Sequence, residues 1–201
     1  MIKNITFVTG NQMKVSHANT AIEGFNYIFV SQKLAIIESR EEEPEKVVVE
    51  KAKQAMFQLN IPLVVEDSGI FIEALNGFPK TFVHFAQDTI GINNILKMMD
   101  GVNNRKVEFR QSLAYIERGM EEPKVFSYVD GDYTLASKVW TPKYEDTGDF
   151  DKILIPPGET EPLCRFTKDW RAKRDFEANR ETIHYLQLVR WLENRNGHQT
   201  T

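Results

Sequence analysis

Two hydrophobic periods alternate along the first half of this chain. Ile2 to Thr9, rich in β-branched residues, carries the pattern of a strand. Gly10 and Asn11 interrupt it, and a helical pattern from about Gln12 to Ile22, stopped at Gly24, follows. Tyr27–Val30 and Leu34–Ile37 read as short strands. The segment ESREEEPEKVVVEKAKQAMFQLN then places an acidic lead-in and Pro44 before a helix that ends at Asn60. Leu63–Val65 predicts a short buried strand, with Asp67, Ser68 and Gly69 as the turn after it. Ile70–Leu75 reads as another strand, turned at Asn76-Gly77, and Gly91–Met99 as a helix. Val107–Ile116, Lys124–Val129 and Tyr133–Trp140 read as an antiparallel meander, with Asp130-Gly131-Asp132 as a hairpin turn. A long helix is expected from about Asp169 to Asn194. This alternation of strands and helices places the chain in the α/β class.

Composition narrows the picture. The chain has 201 residues, 41% hydrophobic and 27% charged, which suits one globular unit with a real core. A formal charge of -4 argues against nucleic-acid binding through a broad basic surface and leaves room for a small anionic ligand. The single cysteine, Cys164, excludes an internal disulfide and a thiolate metal cluster, and fits a reducing cytosol. No apolar run approaches the roughly 20 residues that span a bilayer, so a cytoplasmic protein without membrane partners is expected.

Three constellations carry candidate chemistry. In TGNQMK, Thr9, Gly10 and Asn11 lead from a strand into a helix start whose backbone N–H groups can hold a phosphate. Lys14 stands in that first turn, where the macrodipole disfavours a cation unless an anion joins it. The alternative is an ordinary connection with a solvated lysine. In VVEDSG, Glu66 and Asp67 stand at the carboxyl end of a strand, where open α/β sheets place ligands. If that strand runs parallel to the first, both motifs reach one sheet edge. Adjacent carboxylates repel, and a hard cation such as Mg²⁺ would relieve the conflict; otherwise Asp67 and Ser68 simply make a turn. Lys51 flanks the apolar stripe Val48, Ala52, Ala55 and Leu59, from which it either reaches water or aims at an anion. Glu38, Glu41, Glu42 and Glu43 precede it as a solvated run, or as the source of one further metal ligand. Together Lys14, Lys51, Glu38, Glu66 and Asp67 form a kit for polyphosphate hydrolysis. His17 and His84 lack metal-type spacing and read as structural.

FVTGNQMK, EPEKVVVEKAKQA and VVEDSGIFIEALNGFPKTFVHF together resemble the inosine triphosphate pyrophosphatase family over about the first 90 residues. The resemblance implies an elongated mixed sheet flanked by helices, one domain over residues 1–201 made of two lobes with a nucleotide cleft between them, and a homodimer. It implies that Asn11, Lys14 and Lys51 contact the triphosphate, with Thr9, Gly10, Ser68 and Gly69 lining the same site. Glu38 and Glu66 would be metal ligands, with Glu41 as the other choice for the first. Asp67 would share the metal and orient or deprotonate the attacking water.

The second half departs from the family. TGDFDKILIP stands where members carry Phe-Gly-Tyr/Trp-Asp-Pro, leaving Phe150 to stack on a base and Asp151 as the matching acid. Lys-Asn followed by Ser-His-Arg is missing from FTKDWRAKRDFEANRE, which offers Lys168, Arg171, Lys173, Arg174 and Arg180 instead. Arg171 and Arg174 are the substrate-binding candidates there. The expected activity is Mg²⁺-dependent hydrolysis of inosine, xanthosine and related deoxynucleoside triphosphates to monophosphate and pyrophosphate. A Maf-like pyrophosphatase of other modified or pyrimidine nucleotides, and a nucleotide-binding protein without turnover, are the competing readings.

Overall fold

The computed structural model describes residues 2–145, 147–178 and 181–197. The elements run β1 (Lys3–Val8), α1 (Gln12–Ala21), β2 (Tyr27–Gln32), α2 (Pro44–Leu59), β3 (Leu63–Ile72), β4 (Pro79–Lys80), α3 (Val83–Thr89), α4 (Ile92–Met98), β5 (Lys106–Ile116), β6 (Lys124–Leu135), β7 (Leu154–Ile155), α5 (Lys168–Ala178) and α6 (His184–Gly197). The strands form one mixed sheet of order β2-β1-β3-β5-β6-β7, with β4 paired to β3. The chain divides into two compact units, Met1–Asp67 with Gln111–Tyr128 and Ala178–Thr201, and Ser68–Arg110 with Val129–Glu177. β3, β5 and β6 each contribute residues to both. Among the described residues no helix is long and apolar enough to cross a membrane.

In the first unit β1 runs parallel to both neighbours, with Lys3 opposite Tyr27 and Phe7 opposite Val64. Parallel strands need crossover connections, which α1 and α2 supply. Helix α2 starts at Pro44, whose missing N–H costs nothing at a first turn, and ends at Asn60 in the left-handed conformation with φ 51°. Its buried Val48, Ala52 and Ala55 pack on Leu63, Val65, Ala114 and Ile116. On the other face, the Phe7 and Phe29 rings meet Tyr185 of α6 edge-on. In the second unit Ile72, Ile95, Met99, Val107, Leu135, Ile153 and Leu154 form the core. Arg105 ties its loops together, donating to the carbonyls of Leu135, Met99 and Ala136.

Five expectations are corrected. Leu34–Ile37 is not a strand; the Gln54 amide hydrogen-bonds both backbone groups of Ile37, and Gln58 bonds the Ala35 carbonyl, so α2 side chains replace a ladder. Asp67-Ser68-Gly69 is no turn, because β3 continues through it to Ile72 and only then gives way to a 3₁₀ turn at Glu73–Leu75. β6 likewise passes through Asp130-Gly131-Asp132 without a hairpin, and Ala136–Trp140 is not a strand. The long C-terminal helix is two, α5 and α6, and Val83–Thr89 adds a short helix that the pattern did not signal.

Candidate active site

The site grows from the end of β1. Thr9 Oγ1 accepts the Asn11 N–H at 3.1 Å, and the Asn11 side chain caps α1 by accepting the Met13 N–H at 2.9 Å. The end of β2 is tied to this loop, since Ser31 donates to the Thr9 carbonyl and the Thr9 N–H donates to the Gln32 carbonyl. Gly10 keeps the backbone open. A Cβ there would meet nothing nearer than the Lys33 stem at 3.7 Å. Thr9, Gly10 and Asn11 thus present an accessible helix start, as a phosphate cradle requires.

The anion that Lys14 needs is Glu66. Lys14 Nζ lies 3.1 Å from Glu66 Oε1, and the Glu66 side chain is only 3% exposed. The other oxygen, Oε2, accepts the Tyr185 hydroxyl hydrogen bond. His184 Nε2 stands 3.8 Å from the same oxygen, and neither of its buried ring nitrogens has a hydrogen-bond partner among the described residues. Burial pushes the Glu66 carboxyl up, but the Lys14 ammonium, His184 and the Tyr185 hydroxyl outweigh it and hold the group at about 2. Burial, then the Glu66 charge and hydrogen bond, push the Tyr185 hydroxyl well above its ordinary value.

Asp67 belongs to a different cluster. Lys51 Nζ lies 2.9 Å from Asp67 Oδ2 and 2.9 Å from Glu38 Oε1. Burial works against the Lys51 charge, and the two carboxylates reverse that and raise its pKa. Strand geometry explains the division. Neighbouring residues of a strand point to opposite faces, so Glu66 joins α1 and α6 while Asp67, in phase with Leu63 and Val65, faces α2. The expected turn with two repelling carboxylates is therefore corrected: one pleat separates them. Among the described residues no group of three or more His, Cys, Asp or Glu side chains is gathered to hold a metal ion. Glu38 and Asp67 converge, and they do so on the Lys51 ammonium. Two hard oxygen donors at one point fit Mg²⁺, which keeps most of its shell for water and phosphate. Glu41 instead pairs with Lys46 at 3.7 Å.

Ser68 and Gly69 continue β3 into the second unit. Gly69 is required there, because a Cβ would stand 2.6 Å from the Lys80 carbonyl oxygen on β4. The remaining candidates lie in the same unit. Asp151 accepts from the Gly148 N–H and the Arg171 guanidinium, at 2.9 and 2.8 Å. Arg174 donates to Asp130 at 2.9 Å and lies over the Tyr133 ring. Phe150 corrects the expectation of a stacking ring: at 4% exposure its side chain belongs to the core. Arg180 lies outside the described residues. His184 and Tyr185 escaped the sequence reading, which ran one helix through them. The available signal was a tyrosine on an apolar face, whose hydroxyl needs a partner. The last helix begins at His184.

Comparison with known proteins agrees with these motifs. The model of the Ham1 family matches residues 5–178. A dITP/XTP pyrophosphatase of Methanopyrus kandleri is 34% identical over 190 residues, 94% of this chain and 96% of that protein. One of Methanosarcina acetivorans is 38% identical over 122 residues, 61% of this chain and 66% of that protein. The structure of the Staphylococcus aureus Ham1 protein superposes with a TM-score of 0.73 at 19% identity, covering 96% of this chain and 100% of that one. A HAM1 protein from Coxiella burnetii gives the same TM-score of 0.73 at 19% identity, with the same 96% and 100% coverage. With a family match that spans most of its length and the fold shared by these neighbours, the chain belongs to the Ham1 family, as its first-half motifs led us to expect.

Proposed function

We propose that this chain is a Mg²⁺-dependent nucleoside triphosphate pyrophosphatase, acting on inosine and xanthosine triphosphates and their deoxy forms. The observation that carries the reading is the pairing of Lys14 with Glu66 and of Lys51 with Asp67 and Glu38 in one unit, beside an open helix start. The names of its relatives, dITP/XTP pyrophosphatases, support the substrate class.

In this reading Thr9, Gly10, Asn11 and the start of α1 receive the phosphate tail, and Lys14 and Lys51 neutralise the β and γ phosphates. Asp67, half-buried and held by Lys51, orients a water and takes its proton as the oxygen attacks the α phosphorus. The bond from that phosphorus to the bridging oxygen breaks, and pyrophosphate leaves with the electron pair. Glu38 and Asp67 would hold Mg²⁺, which would offset the charge of the phosphates. Glu66, engaged on both oxygens, holds Lys14 in place. Ser68 and Gly69 prolong the same strand beside this chemistry.

Incubating the protein with inosine, xanthosine, adenosine and deoxyuridine triphosphates and Mg²⁺ tests the reading. Monophosphate and pyrophosphate are expected from the first two, and loss of Asp67 as Asp67→Asn is expected to slow turnover by about a hundredfold or more. Folded protein that releases pyrophosphate from none of them overturns it. A second reading, in which the base differs, is favoured by the absence of Ser-His-Arg from FTKDWRAKRDFEANRE and by the buried Phe150. Stronger turnover of a pyrimidine or other modified nucleotide in the same panel would select it.

A further inference from the structure

Tyr185 lies 119 residues from Glu66 in sequence, yet its hydroxyl meets the side of that carboxylate turned away from Lys14. Its ring has little freedom. Phe29 and Phe7 approach it edge-on at 5.7 and 6.3 Å between centroids, and His184 lies at 4.1 Å. A carboxylate held by one donor can still pivot about its last torsion, which is broad, whereas donors on both oxygens fix it. Lys14 is long and mobile, and its side chain is 27% exposed, so its ammonium goes where its counter-ion directs it.

We propose that Tyr185 is a positioning residue for the phosphate loop: by holding Oε2 of Glu66, it aims Oε1 and thereby sets the Lys14 ammonium at the start of α1 before any ligand arrives. This rests on the reading that the loop holds a polyphosphate. Tyr185 itself touches neither ligand nor reacting atoms. Its contribution is preorganisation, which saves the ligand the cost of ordering the lysine.

The test is Tyr185→Phe, which keeps the ring packing and removes the hydroxyl; Tyr185→Met repeats the test should phenylalanine not fold. Binding of inorganic tripolyphosphate without divalent metal, measured by calorimetry, is expected to weaken about tenfold, the equivalent of one hydrogen bond of orientation. With inosine triphosphate, KM should rise by a similar factor while kcat changes little. In a Lys14→Ala background the same substitution should have no further effect on tripolyphosphate, since the two act in series. Ile116→Val, which loosens the core packed against α2 and leaves the Tyr185 ring alone, should lower the melting temperature and leave tripolyphosphate affinity unchanged.

Equal weakening by Ile116→Val, or an additive effect with Lys14→Ala, would overturn the proposal in favour of plain packing. If the wild-type protein hydrolyses nucleotides and Tyr185→Phe binds tripolyphosphate unchanged, this inference alone fails. If the wild type neither binds nor hydrolyses, the loop reading fails and takes this inference with it.

Discussion

Glu66 shows how a single residue can carry both charge and stability. It is a fully buried carboxylate whose carboxyl is held at about 2, against an ordinary 4.5. The folded state therefore binds fewer protons than the unfolded chain between those values, and stability rises with pH across that window. The contribution, on the order of 3 kcal/mol, is complete above pH 4.5 and disappears as pH falls toward 2. Glu66→Gln is expected to be less stable at neutral pH and to show a flatter stability profile through the acid range in urea titrations. An unchanged acid slope would mean that another carboxylate governs it. Asp67, one residue on, is half-buried and paired with Lys51 on the opposite face of the strand.

At the scale of elements, the parts written in local pattern were legible. β1, the Gly10-Asn11 break, α1, α2 with its Pro44 start and Asn60 stop, and α4 all stand where periodicity and capping residues placed them. The failures share a cause. Asp, Ser, Gly and Asn mark turns in isolation, but at Asp67-Ser68-Gly69 and Asp130-Gly131-Asp132 strand pairing overrode that preference. The structure pairs Lys14 with Glu66 and Lys51 with Asp67 and Glu38, a division the sequence did not show, because a turn and a strand direct adjacent side chains differently. Tyr185 lies too far along the chain for any local pattern to join it to Glu66. The glycine in β3 offers a direct check. Gly69→Ala would drive a methyl to within 2.6 Å of the Lys80 carbonyl and 2.9 Å of the Phe71 ring, so a loss of about 1–3 kcal/mol in unfolding free energy is expected. Wild-type stability in that variant would mean that β4 yields easily.

For the whole molecule, a ligand that binds only the folded chain raises its stability by mass action, by about 2.7 kcal/mol at a hundredfold excess over Kd. In a protein of 201 residues this corresponds to a rise of roughly 5–10 °C in melting temperature. Inosine triphosphate added to Asp67→Asn, which binds without consuming it, should show that rise in a thermal scan; none at saturating nucleotide would count against a triphosphate site. The way the two units are assembled has one more result. The first is stitched from three separate stretches of chain, so the catalytic candidates before Ser68 depend on residues more than a hundred positions further along. A nascent chain halted at Asp67 holds every lysine and acid proposed for chemistry but lacks its remaining strands and α6. Such a fragment, purified, should give the circular dichroism of a coil, and a cooperative melt would show that this stretch folds without the other two.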